Sequence, residues 1–117
     1  MEIKKKILII EDDSLTLLVL KNLLSNRNFD VIALNDGRNY KEKMNEVVAV
    51  IIDCGLPFNS GEDIAIEIKN SYPNIKIILT SVSSLEKLKP ETKKIMNGFI
   101  GKPYNSEKID NLFTLIF

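Results

Sequence analysis

The sequence has no histidine, no tryptophan and a single cysteine, Cys54, among its 117 residues. Without histidine, the chain cannot perform Ser/His/Asp or Cys/His catalysis, bind a metal through imidazole or carry a phosphohistidine of its own. One cysteine excludes a disulfide within the chain, which is consistent with a reducing compartment. Carboxylates, hydroxyls and lysine are therefore the groups left to carry any chemistry.

The chain also lacks an excess of either charge and lacks long apolar runs. It has 16 Lys and Arg against 16 Asp and Glu, so we expect no direct binding to nucleic acid. No apolar run approaches bilayer length and the signal-peptide pattern is missing, so we expect no membrane insertion and a cytoplasmic location. The length predicts one domain over residues 1–117.

Short apolar runs alternate with amphipathic segments of helix length, which predicts an α/β fold with a parallel sheet. The predicted strands cover residues 7–10, 31–34, 47–52, 75–79 and 99–101. The predicted helices are 14–26, a weak polar helix from about 37 to 46, one around 64–68, one starting at Pro90 after a loop or turn over 81–89, and 106–116. The run 47–52 is almost continuously apolar, as is typical of a central strand covered on both faces.

Polar residues of different chemical kinds follow four of these strands. Glu11 and Asp12 follow the first strand, Asp53 the third, Thr80 the fourth and Lys102 the fifth. Since ligands of an open parallel sheet lie at the carboxyl ends of the strands, we expect these side chains to share one crevice. Clustered carboxylates repel unless a cation lies between them, and Mg²⁺ prefers one or two carboxylates with water and phosphate oxygens.

The chain resembles a response-regulator receiver domain from end to end. The residues that carry this resemblance are the pair Glu11-Asp12, Asp53 with Leu56-Pro57 and Gly61 behind it, Thr80, and Lys102-Pro103. The resemblance implies a flavodoxin-like, doubly wound three-layer fold with a five-stranded parallel sheet in the order 2-1-3-4-5. It also implies phosphoryl transfer from a histidine kinase or phosphotransfer protein to Asp53 with Mg²⁺, followed by a shape change that a downstream effector or effector domain reads.

The chemistry assigns a role to each residue of the set. Asp53 is the nucleophile, whose carboxylate attacks phosphorus and forms an acyl phosphate. Asp12 and Asp53 are predicted to bind Mg²⁺ directly, Glu11 through water, and Gly55 through its carbonyl. The domain would in this way catalyse its own phosphorylation and dephosphorylation without turning over a separate substrate.

Two groups are predicted to contact the phosphoryl oxygens. Lys102 supplies a positive charge and Thr80 a hydroxyl donor. The resemblance further implies a cis peptide bond between Lys102 and Pro103 and a switch role for the aromatic residue Phe99. It places the output face, with a possible homodimer contact, on the helix before the fifth strand, that strand and the last helix.

The chain departs from the family pattern at a few positions. Glu11 stands where aspartate is commoner, the second helix looks short and the region around Pro90 is atypical. In the family, side chains two positions beyond the phosphoacceptor and two beyond the hydroxyl residue influence the hydrolytic water. Those positions are Gly55 and Val82, so the resemblance implies a long-lived phosphorylated form.

The residues alone leave three alternative functions open. A haloacid-dehalogenase-like phosphatase also phosphorylates an aspartate after a buried strand, but it needs a second acid two residues on, where this chain has Gly55. An FMN-binding flavodoxin-like protein needs a phosphate loop after the first strand, where Glu11-Asp12-Asp13 would repel phosphate. A receiver-shaped interaction module that is never phosphorylated is the third.

Overall fold

The computed structural model describes residues 4–117, and the predicted fold class is confirmed. Within these residues, one sheet has five parallel strands in the order β2-β1-β3-β4-β5. The strands are β1 Lys6–Ile10, β2 Asp30–Leu34, β3 Val47–Asp53, β4 Lys76–Ser81 and β5 Gly98–Gly101. The helices are α1 Ser14–Ser25, α2 Gly61–Ser71, α3 Pro90–Ile95 and α4 Ser106–Ile116, with short 3-10 turns at Tyr40–Lys43 and Leu85–Lys87.

The three central strands β1, β3 and β4 are buried on both faces, as their apolar sequences predict. Successive side chains of a strand point to opposite faces, so each strand contributes to two cores. Leu8, Ile10, Val50 and Ile52 face one core, and Ile7, Ile9, Ala49 and Ile51 face the other. Burial on both faces therefore fixes the register of the strands and the positions at which they end.

One face of the sheet is covered by α1 and α4, two helices of three turns each. The Asp13 side chain caps α1 by accepting a hydrogen bond from the Thr16 N–H at 2.8 Å. The Asn105 side chain caps α4 in the same way through the Lys108 N–H at 2.8 Å. Apolar side chains of both helices, including Leu20 and Phe113, complete the core on this face.

The opposite face has less helical cover, and here the predicted polar helix over residues 37–46 is wrong. A 3-10 turn of four residues, Tyr40–Lys43, lies there instead. The Asp36 carboxylate accepts from the Arg38 N–H at 2.9 Å, and Glu46 adopts a positive φ of 64°. Between these two bends the chain forms one short turn. Tyr40 and Met44 bury their side chains there.

The region around Pro90 follows the prediction. Residues 81–89 contain a short 3-10 turn, and α3 begins at Pro90, where the missing N–H costs no helical hydrogen bond. The peptide bond between Lys102 and Pro103 is cis. Among the helices of residues 4–117, none has the length and apolar character needed to cross a bilayer.

Two strands extend further than predicted at their carboxyl ends. β3 includes Asp53, and β4 continues through Thr80 to Ser81. Asp53 and Thr80 are register partners on adjacent strands, and the Cys54 N–H donates to the Thr80 carbonyl at 3.0 Å. Backbone pairing therefore sets the separation of these two side chains.

Candidate functional site

Asp53 lies at the centre of the carboxyl edge of the sheet and is only 5% exposed. Its Oδ1 accepts a hydrogen bond from the Gly55 N–H at 3.1 Å and lies 3.2 Å from Lys102 Nζ. The chain returns close to this strand end at Gly61, where a Cβ would lie 2.1 Å from the Asp53 carbonyl oxygen. Only glycine fits there, so Gly61 lets the loop pack tightly behind the carboxylate.

Three carboxylates converge at this edge. Glu11, Asp12 and Asp53 each offer one oxygen, and these oxygens lie within 4.8 Å of one another. Glu11 is 1% exposed, whereas Asp12 is open to solvent. Oxygen ligands at such spacing, with one face open to water, suit a hard divalent cation. The donor set therefore fits the predicted Mg²⁺ site.

Lys102 bridges two of the carboxylates. Its Nζ lies 2.6 Å from Glu11 Oε1 as well as 3.2 Å from Asp53 Oδ1. Glu11 Oε1 is buried and accepts no well-aligned hydrogen bond from the residues that the structure describes. One ammonium thus faces two carboxylates and neutralises them incompletely, which leaves net negative charge in a buried place.

This environment separates the protonation of the two buried acids. Burial raises the pKa of Glu11 to about 7, and the nearby Asp53 adds to that rise. Burial acts on Asp53 in the same direction, but hydrogen bonds with Glu11 and the Gly55 N–H, with the charge of Lys102, outweigh it and lower the pKa of Asp53. For Lys102, burial works against the ammonium, yet its contacts with Glu11 and Asp53 raise its pKa. Near neutral pH, Asp53 is ionised and Lys102 is charged.

A pair of buried hydroxyls lies on the other side of Asp53. Thr80 is fully buried, and the Tyr104 hydroxyl donates a hydrogen bond to Thr80 Oγ1 at 2.9 Å. Burial raises the pKa of Tyr104, and the carboxylates of Glu11 and Asp53 add to that rise, so the phenol remains a donor. The sequence reasoning did not single out Tyr104. Its position directly after Lys102-Pro103 was the signal available.

A second residue that the sequence reasoning missed is Lys108, in the first turn of α4. Its Nζ donates to the Gly101 carbonyl at 3.1 Å and to the Pro103 carbonyl at 2.9 Å. These carbonyls flank Lys102, so Lys108 fixes the backbone from which the Lys102 side chain reaches Asp53. Spacing alone offers no sign of this contact.

Two predicted residues lie outside the charged cluster. Phe99 is half-buried on β5, in register with Leu79, and packs against the core of the α2 face. Val82 is 85% exposed beside a cavity of about 430 Å³ that Lys102 also lines. Val82 therefore shares a cavity with Lys102, and its side chain lies mostly in solvent.

Two relatives of known name illustrate the sequence similarity of this chain. The chain is 28% identical over 109 residues to the chemotaxis protein CheY of Thermotoga maritima, covering 90% of this chain and 91% of that protein. It is 29% identical over 102 residues to a cyclic di-GMP phosphodiesterase of Thermotoga maritima, covering 86% of this chain but only 28% of that protein. The chain thus spans less than a third of the length of that larger relative.

Solved structures agree with the sequence matches. A response regulator receiver domain protein from Clostridium thermocellum superposes with a TM-score of 0.82 at 27% identity, covering 94% of this chain and 91% of that one. The family model described as the response regulator receiver domain matches residues 7–114. The chain belongs to the response regulator receiver domain family.

Proposed function

We propose that this chain accepts a phosphoryl group on Asp53 from a phosphohistidine of a histidine kinase or phosphotransfer protein. The observation that carries the proposal is the buried, ionised Asp53 carboxylate with Lys102 Nζ 3.2 Å from its Oδ1 and two further carboxylates beside it. A buried carboxylate is costly unless a partner compensates it, so this arrangement favours a reactive group over a structural one. The donor histidine must lie outside this sequence, since its 117 residues contain none.

The transfer forms one bond and breaks another. The Asp53 carboxylate oxygen attacks phosphorus, the bond from phosphorus to the donor imidazole nitrogen breaks, and that nitrogen keeps the electron pair. Lys102 already lies at hydrogen-bonding distance from Asp53 and contacts the oxygens of the incoming group. Its charge is fixed before the donor arrives, which lowers the barrier without a costly rearrangement.

The acidic cluster supplies the metal ligands. Asp12 and Asp53 would hold Mg²⁺ directly, with Glu11 acting through bound water and the Gly55 carbonyl as a backbone ligand. When bound, Mg²⁺ offsets the charge on the attacking and transferring oxygens. Exposure of Asp12 keeps the entrance open to the donor, while burial of Glu11 limits access from the side of β1.

The output surface that we propose comprises α3, β5 and α4. It presents the half-buried ring of Phe99 beside Leu115, whose side chain is 83% exposed, around a cavity of about 360 Å³. Apolar groups exposed together in this way suit a partner surface. A downstream effector, an effector domain or a second copy of the chain would bind there after the phosphoryl group on Asp53 draws Thr80 towards it.

Intact mass spectrometry tests the central step. Incubation with a small phosphodonor and Mg²⁺ should add one phosphate to the wild type, and none in excess chelator. Asp53→Asn should stay unmodified, whereas the control Asp30→Asn, at the amino end of the sheet, should react like the wild type. Equal labelling of Asp53→Asn would contradict the assignment.

The same mass measurement separates the proposed function from a receiver-shaped module that is never phosphorylated. A folded protein that never gains phosphate would be the non-phosphorylated interaction module. The phosphatase alternative receives no support, because Gly55 stands where its second acid is needed and the family match is to receiver domains.

A further inference from the structure

The buried hydrogen bond between Tyr104 and Thr80 joins the two sides of the site in a way that the proposed chemistry does not use. Tyr104 and Lys102 are separated only by Pro103 in the β5–α4 loop. Lys102 contacts Asp53 on one side, and the Tyr104 hydroxyl donates to Thr80 Oγ1 on the other. One short loop therefore touches both the phosphoacceptor and the hydroxyl residue next to it.

The Tyr104 ring is held by packing. It is 8% exposed and belongs to the core beneath α1 and α4, with Ile109 and Phe113 in the same cluster. Its hydroxyl therefore has a set position and cannot follow Thr80 freely. Thr80 is fully buried, so water cannot replace the hydrogen bond if it is lost.

The hydrogen bond between Tyr104 and Thr80 stabilises the resting position of Thr80 and not its position beside a phosphoryl group. In the proposed function, the Thr80 hydroxyl donates a hydrogen bond to the phosphoryl group on Asp53, and it must approach that group to do so. Because packing keeps the Tyr104 hydroxyl in place, a displacement of Thr80 Oγ1 lengthens or misaligns this hydrogen bond. The bond to Tyr104 therefore stabilises the resting arrangement selectively.

We infer that Tyr104 is a positioning residue that holds Thr80 in the resting state and opposes switching until phosphate is bound. The inference rests on the proposed function, because Thr80 needs a phosphoryl group to move towards. A bond present in one state only shifts the equilibrium between the two states by its own net free energy. By linkage, removal of the bond must tighten the binding of any ligand that prefers the switched state.

Binding of beryllofluoride with Mg²⁺ tests this, since beryllofluoride resembles a phosphoryl group in shape and charge. We would titrate uniformly ¹⁵N-labelled protein and follow backbone NMR signals. Tyr104→Phe keeps the ring and removes the hydroxyl, and we expect it to bind about threefold to tenfold tighter than the wild type. Equal or weaker binding would overturn the inference.

A matched control comes from the other buried tyrosine whose hydroxyl donates a hydrogen bond to a side chain. Tyr40 is 5% exposed, and its hydroxyl donates to Glu67 on the opposite face of the sheet. Tyr40→Phe should bind beryllofluoride like the wild type. Tighter binding by both variants would show a general effect of losing a hydrogen-bonded tyrosine hydroxyl, and would overturn the role of Tyr104.

A double-mutant cycle shows whether the effect passes through Thr80. In a Thr80→Ala background, Tyr104→Phe should leave the beryllofluoride affinity unchanged, because the bond is already gone. A gain that persists there would overturn the inference. Failure of the wild type to bind beryllofluoride at all would instead overturn the proposed function, and the inference with it.

A measurement on the wild-type protein does not depend on the affinity of any variant. The chain has three tyrosines, and ¹³Cζ labelling gives each a signal that reports on its hydroxyl. The Tyr104 signal, identified by its absence in Tyr104→Phe, should shift when beryllofluoride binds. The Tyr40 signal should not. An unchanged Tyr104 signal would mean that the bond to Thr80 survives switching, which contradicts the proposed role.

Discussion

The two sides of Asp53 are built from different kinds of interaction. On the β1 side lies a charged half, defined by Glu11, Asp12 and Lys102, in which Lys102 Nζ is 2.6 Å from the Glu11 carboxylate. On the β4 side lies a hydroxyl half, defined by Thr80 and Tyr104, which is neutral and joined by one hydrogen bond of 2.9 Å. Both are buried at their centre, yet they differ in what would disturb them.

Buried charges interact over longer distances and with more energy than a pair of hydroxyls. Removing one partner of a buried ion pair costs about 3–5 kcal/mol, whereas a neutral hydrogen bond contributes about 1 kcal/mol. The charged half responds to pH and to cations, and the hydroxyl half responds to small displacements. We therefore expect the charged half to control whether phosphate is accepted, and the hydroxyl half to control the conformational switch after acceptance.

The largest effect should come from removing the charge of Lys102. Lys102→Met leaves Glu11 and Asp53 without their ammonium, so we expect the free energy of unfolding in chelator to fall by about 3 kcal/mol near pH 8. Mg²⁺ should restore part of the loss, because the cation replaces the missing charge. Urea unfolding with and without Mg²⁺ measures both.

A surface lysine provides the comparison. Lys21 is exposed on α1, and Lys21→Met should change the free energy of unfolding by less than about 0.5 kcal/mol. If Lys102→Met lowers the free energy of unfolding no more than Lys21→Met does, the Lys102 ammonium does not stabilise the charged half.

The next effect is a dependence of stability on pH in the metal-free protein. Burial raises the pKa of Glu11 from 4.5 to about 7, so the folded state holds this proton more tightly than the unfolded state. That stabilisation is complete below pH 4.5 and is lost as the pH rises through about 7. We expect the free energy of unfolding to fall by of order 2 kcal/mol between about pH 5 and about pH 8.

Asp53 and Lys102 do not obscure that window. The lowered pKa of Asp53 acts at lower pH and the raised pKa of Lys102 acts at higher pH. Glu11→Gln cannot lose a proton and should flatten the profile. A slope that persists in Glu11→Gln would assign the effect to other groups.

A change in the hydroxyl half should affect switching more than phosphate acceptance. Thr80→Ala retains Asp53 and Lys102, so the mass gain with a small phosphodonor should remain. Complete switching, from 1:99 to 99:1, needs about 5.5 kcal/mol, and loss of one charge-assisted hydrogen bond removes about 1.5–3 kcal/mol of it. The NMR change on phosphorylation should therefore be smaller than in the wild type.

Thr80→Ser restores the hydroxyl without the methyl group and should recover most of the spectral change. If phosphorylated Thr80→Ala shows the full wild-type NMR change, the coupling role of Thr80 is wrong. The hydroxyl half then does not control the conformational switch.

The smallest effect should concern the lifetime of the phosphorylated form. A Cβ at Gly55 would lie 3.7 Å from Asp53 Oδ1, and Val82 shares a cavity with Lys102, so neither position now offers a polar side chain to the hydrolytic water. We expect Gly55→Asn and Val82→Glu to speed decay about twofold to tenfold, the worth of one aligned hydrogen bond.

The apolar replacements Gly55→Ala and Val82→Leu serve as controls in the same decay time course. Their decay rates should stay close to that of the wild type. Decay that is unchanged or slower in the polar variants would show that these positions do not hold the water.

The prediction from sequence succeeded where the pattern was strong and local. The apolar run over residues 47–52 predicted a central strand covered on both faces, and the alternation of strands and helices predicted a parallel sheet with polar residues at its strand ends. The strand order was an expectation from the resemblance to receiver domains, and the structure confirms it. The segment 37–46 has few apolar residues, and there tertiary contacts of Tyr40 and Met44 selected a short 3-10 turn over the predicted helix. Weak intrinsic preference leaves such a choice to packing.

By itself the sequence determined the alternation of strands and helices, and with it the convergence of Asp53, Thr80 and Lys102 at one edge of a parallel sheet. Only the tertiary structure decided which side chains touch there. Lys102 reaches Glu11 from the far end of the chain, and Tyr104 reaches Thr80 across 24 residues. Periodicity reports burial and direction within one element, whereas these contacts depend on how a loop packs between elements, which no local pattern encodes.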